Sequence, residues 1–84
     1  MLRLIPFAAA LAVVLAAGPA LADAKADCTK GVAMIKAELK KKHPPAVIEK
    51  LKKALSDAET EVMENDWSEC LEFIAAARKA LRGG

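Results

Sequence analysis

Four residues of this 84-residue chain have the side-chain chemistry most readily recruited to a site: Cys28, Cys70, Trp67 and His43. A thiol pair can exchange disulfides, bind a metal or staple two segments, and spacing decides between these uses. Cys28 and Cys70 form no C-x-x-C, no C-x-x-C-H and no zinc-type cluster, so a structural disulfide is the expectation. An intermolecular bridge is its alternative. His43 lies between Lys40–Lys42 and Pro44-Pro45, which suits a turn residue better than a general base or a ligand. Met34 and Met63 are too few and too far apart for a copper site and read as core gap-fillers. Asp57, Glu61 and Glu64 share one helix face but lack the spacing and turn glycine of a calcium loop. Beyond the leader the glycines are Gly31, Gly83 and Gly84, so no glycine-rich phosphate loop is present. The expectation is a protein without catalytic residues, cofactor or metal.

The first 22 residues differ from the rest. A positive start (Met1–Arg3), an apolar stretch from Leu4 to Ala17, a Gly18-Pro19 break and Ala20-Leu21-Ala22 form the pattern of a secretory signal peptide. Its apolar stretch is shorter than the roughly 18–20 residues needed to span a bilayer. Cleavage is expected after Ala22, leaving no transmembrane span and a single domain, residues 23–84, in the periplasm or outside the cell. Without Arg3 the domain holds 12 basic and 11 acidic residues, a balance that gives nucleic acid no foothold. So small a domain is marginal without a staple, and two cysteines in an exported chain supply one.

Three amphipathic stretches must position these residues. Cys28, Val32, Ile35 and Leu39 recur in steps of four, three and four, marking a helix over about 27–42 with Asp27 as N-cap. Pro44 ends it, and Pro45 suits the first turn of the next helix. Ile48, Leu51, Leu55, Ala58 and Val62, widened by Val47 and Ala54, mark a second helix over about 45–64. Asp66 as N-cap and Glu69 reaching back form a capping box for a third, about 67–82, whose stripe is Trp67, Cys70, Ile74, Ala77 and Leu81. The expected fold is all-α, a small antiparallel up-down-up three-helix bundle stapled by one disulfide and preceded by the cleavable leader. In it the first and third helices run parallel, so Cys28 and Cys70, each near a helix start, fall at nearly the same height. Trp67 then closes that end of the core over the bridge. The stretch "ENDWSEC" (residues 64–70) thus reads as turn, cap, lid and staple.

Charge supplies the functional lead. Residues 23–32 and 57–72 carry nine acids against Lys25 and Lys30, whereas residues 33–56 and 73–84 carry ten bases against Glu38 and Glu49. The helix dipole favours this sorting in the first and third helices but opposes it in the second, whose lysines lead and whose glutamates trail. The expected function is a periplasmic binding or adaptor module. Its lysine end (Lys40, Lys41, Lys42, Lys50 and Lys53) would meet an anionic protein, a lipid headgroup or an envelope polymer such as lipopolysaccharide. One alternative is a stress chaperone opened by acid, because small exported bundles with one disulfide are similar in general plan to periplasmic acid-stress chaperones. Another is a structural protein that self-associates weakly head to tail, acidic end to basic end.

Overall fold

The computed structural model describes the backbone of residues 6–83 and the side chains of residues 22–83. Three helices, α1 (Pro6–Glu38), α2 (Pro45–Met63) and α3 (Trp67–Leu81), pack against one another, and the described residues contain no strand. The most extensive contact joins α2 and α3, and the least extensive joins α1 and α2.

α1 departs from expectation at both ends. Its backbone passes through Gly18-Pro19, where a break was expected, and through Asp27, which lies inside the helix and caps nothing. An interior proline costs about 3 kcal/mol, but Ala16, Ala17, Ala20, Leu21 and Ala22 beside it are among the strongest helix formers. The start of the leader, residues 1–5, lies outside the described residues. At the other end the helix stops at Glu38, short of Lys42. The amides of Lys40 and Lys41 donate to the carbonyls of Ala37 and Glu38 at 3.2 and 3.0 Å, a tightened last turn. Each proline turns its predecessor from helical geometry, so the chain must leave the helix ahead of Pro44. Pro44 accordingly sits at φ −58°, ψ 150°, and Pro45 opens α2.

The α2–α3 junction is the most closely specified part of the chain. Asn65 adopts a left-handed φ of 57°. Its amide donates to the Val62 carbonyl at 3.1 Å, and the Asp66 amide to the Glu61 carbonyl at 2.9 Å. These two bonds form a Schellman motif with asparagine where glycine is commoner. Asp66 caps α3 as expected, its Oδ1 accepting from the Glu69 amide at 3.1 Å. The reciprocal half of the capping box is absent because the Asp66 amide is already spent on closing α2. Such a cap contributes about 1 kcal/mol.

The core is thin. Cys28, Ile35, Leu51, Ala54, Ala58, Cys70, Ile74, Ala77 and Ala80 are its buried apolar residues. Val32, Leu39, Leu55, Val62, Trp67 and Leu81 pack half-buried around them. The stripes therefore face inward as the periodicity predicts, except that on α2 the buried line runs through Leu51, Ala54 and Ala58. Small side chains at 54, 58, 77 and 80 go with the extensive α2–α3 contact, since alanines let helix axes approach. Met34 is half-buried against the core, but Met63 is 80% exposed, one position off its stripe at the end of α2. It fills no gap.

Candidate functional site

The chemistry-bearing residues sort into a structural and a surface set. Cys28 and Cys70 are bonded to each other, with Cα atoms 5.8 Å apart and both side chains fully buried. A sulfur that no thiolate can reach does not exchange, so this pair is a staple between α1 and α3. Trp67 lies half-buried against the core beside it. The Lys25 ammonium stands over the indole, 5.5 Å from its centroid, a cation–π contact.

The connector between α1 and α2 is organised by one carboxylate. Glu38 lies 2.9 Å from His43 Nε2 through Oε1 and accepts from Lys41 Nζ at 3.0 Å through Oε2. The hydrogen bond from Lys41, then that with His43, holds the Glu38 carboxyl below its ordinary range. In the sequence Glu38 is one of two acids in a basic region, and nothing marks it as the anchor of the loop. Its five-residue reach to His43 exceeds the helical neighbour spacings and exists only because the chain folds back after Leu39.

Of the five lysines expected to bind a partner, two already have acidic companions. Lys41 is tied to Glu38, and Lys53 reaches Asp57 at 3.1 Å. Lys40, Lys42 and Lys50 are exposed, and no carboxylate side chain among the described residues lies within 4.0 Å of them. Lys40–Lys42 occupy the connector, whereas Lys50 and Lys53 rim a shallow groove between α2 and α3 floored by Ala54, Phe73 and Ala76. One further pair crosses between helices: Lys36 on α1 and Glu59 on α2, 3.4 Å apart and both well exposed. Exposed pairs of this kind contribute a few tenths of a kcal/mol, so the lysines hold little of the fold together.

Acids crowd the α2–α3 junction. Partial burial, then the neighbouring Glu64, Asp66 and Glu69 charges, push the Glu61 carboxyl up. Glu72, followed by partial burial and Asp66, pushes Glu69 up. Among the described residues no group of three or more His, Cys, Asp or Glu is arranged to hold a metal ion, and no helix is long and apolar enough to cross a membrane. Comparison of the chain with protein-family models, curated proteins and solved structures found no match.

Proposed function

We propose that this chain is an exported, non-enzymatic binding module of the periplasm or extracellular space that meets an anionic partner with its lysine-rich connector. The leader would be removed after Ala22. The three helices would alternate in direction, up-down-up. Support for the alternation comes from residue pairings: Cys28 and Gly31 advance together with Cys70 and Ile74, while Lys36 meets Glu59. The observation that carries the function is the exposure of Lys40 and Lys42 without a nearby carboxylate, on a connector whose shape Glu38 fixes, with Lys50 equally exposed on the adjoining α2. A loop already ordered loses less entropy when it binds.

The test is sedimentation with vesicles of neutral lipid, with and without an anionic phospholipid. Binding to the anionic vesicles should disappear between about 0.05 M and about 0.5 M salt as the screening length shortens. With each surface lysine contributing about 1 kcal/mol, Lys40→Glu, Lys41→Glu and Lys42→Glu together should weaken it by about 100-fold or more. Undiminished binding by that triple variant, with the helical spectrum unchanged, would overturn the proposal.

The carboxylates bear on the acid-opened alternative. Glu61 and Glu69 have raised affinities for protons in the folded chain, so protonation removes a partly buried charge at Glu61 and relieves repulsion by neighbouring acids at both. Their contribution to stability grows as pH falls through their folded pKa values and is complete below the ordinary 4.5. Glu38 behaves oppositely: its contribution is complete above 4.5 and is lost as pH falls through its depressed value. The melting temperature should therefore hold or rise between pH 7 and about pH 5 and decline only at lower pH. A cooperative loss of helix by pH 5 with the disulfide intact would favour the acid-opened chaperone instead.

A further inference from the structure

The strongest concentration of uncompensated positive charge in a concave site lies away from the connector, in the seam between α1 and α3. Lys30 on α1 and Arg78 and Arg82 at the end of α3 line a groove of about 390 Å³. Its floor is apolar, made by Leu71, Ile74 and Ala75, and Asp27 is the one acid on its wall. Arg78 and Arg82 are four residues apart and so leave the helix on the same side. All three cations are exposed, and no carboxylate side chain among the described residues, Asp27 included, lies within 4.0 Å of any of them.

Two guanidinium groups beside an ammonium repel one another, and an anion placed among them would relieve that repulsion. Guanidinium forks match the paired oxygens of a phosphate, which an ammonium meets only as a point charge. The groove is also elongated, for Leu71 and Arg82 are separated along α3 by about 16 Å at 1.5 Å per residue. A bare phosphate fills one end and leaves Leu71, Ile74 and Ala75 uncovered. The cavity volume lies within the range of small-molecule sites, near its lower limit. We propose that this groove binds a phosphate-bearing amphiphile, its phosphate held by Arg78 and Arg82 with Lys30 flanking, and its apolar part laid over Leu71, Ile74 and Ala75. Asp27, on the wall beside Lys30, would accept a hydrogen bond from a hydroxyl of the ligand and would repel a second anionic group. The site shares no residue with the lysine connector and does not depend on it.

The test uses the purified protein with its disulfide intact and a soluble short-chain phospholipid, dihexanoyl phosphatidic acid, followed by amide chemical shifts. Saturable shifts at Lys30, Ile74, Arg78 and Arg82 are expected. Inorganic phosphate should move the arginine resonances with at least about tenfold weaker affinity, since it gains nothing from the apolar floor. Arg78→Gln with Arg82→Gln should weaken the phospholipid by at least about tenfold while leaving the helical spectrum unchanged. The Lys40–Lys42 charge reversal should leave this binding intact, which separates the groove from the connector. Equal affinities for phosphate and phospholipid, unchanged binding by the arginine variant, or shifts confined to the connector would each overturn the proposal.

Discussion

Replacing Cys28 and Cys70 together by alanine should destabilise the fold by about 4 kcal/mol and leave it largely unfolded near room temperature. The bridge joins positions 42 residues apart. Without it the unfolded chain regains the freedom of an open loop of that length, which chain-entropy reasoning converts to about 4 kcal/mol. The significance of that figure depends on what else holds the helices. Among the nine buried apolar residues of the described part, only Ile35, Leu51 and Ile74 are large aliphatics; four are alanines and two are the cysteines themselves. A fully buried aliphatic side chain contributes about 1.5–3 kcal/mol, and small domains retain only a few kcal/mol after conformational entropy is subtracted. The disulfide is therefore comparable to the whole net stability. Circular dichroism with thermal melting, on the oxidised protein, the reduced protein and the double alanine variant, measures it. Reduced and substituted forms should lose most of their helical signal together. Melting of either within a few degrees of the oxidised protein would show that packing alone sustains the bundle.

That dependence was legible in the sequence, because apolar periodicity put both cysteines on inward stripes and the turn signals brought the first and third helices side by side. Asp66 was legible for a similar reason, since an N-cap is a local feature with a local signature. Features set by tertiary geometry were not. The spacing of Glu38 and His43 matches no helical neighbour rule, and their contact exists only because the prolines turn the chain. The partnership of Lys30 with Arg78 and Arg82 requires the relative register of α1 and α3, and periodicity fixes the face of a helix more firmly than its height. Asp27 has the side chain of a cap yet lies inside α1, because capping residues also occur inside helices, where the surrounding propensity decides. Met63, expected as a core gap-filler, is exposed because a methionine at a helix end can go either way, and Ala80 is buried although an alanine carries no signal for inside or outside.

Gly31 is the residue whose importance the sequence conceals most, and Gly31→Ala should destabilise the protein by about 1–2 kcal/mol although alanine is the better helix former. A Cβ at this position would stand 2.6 Å from both Cγ1 and Cγ2 of Ile74 and 2.8 Å from its Cδ1. Gly31 is buried in α1, and Ile74 is almost fully buried in α3. Substitution gains about 1 kcal/mol of helix propensity. Against this stands overpacking, which costs about 1–3 kcal/mol in a well-filled core and more where the neighbour cannot move. Ile74 moves poorly. Its branched Cβ has one strongly preferred rotamer in a helix, and both branches already face the glycine. Nor can the helices part easily, because the Cys28–Cys70 bond lies one turn away on each of them. The clash therefore exceeds the propensity gain. A double-mutant cycle by urea unfolding separates the two effects. Ile74→Ala alone should cost about 2–5 kcal/mol through lost burial and a cavity. It also removes all three crowded atoms, so Gly31→Ala should be neutral or stabilising in that background, with a coupling of about 1–3 kcal/mol between the sites. If Gly31→Ala is as stable as the parent, or if the two substitutions simply add, α1 and α3 do not meet tightly at Gly31 and Ile74, and the register that puts Lys30 and Arg78 on one groove must be redrawn.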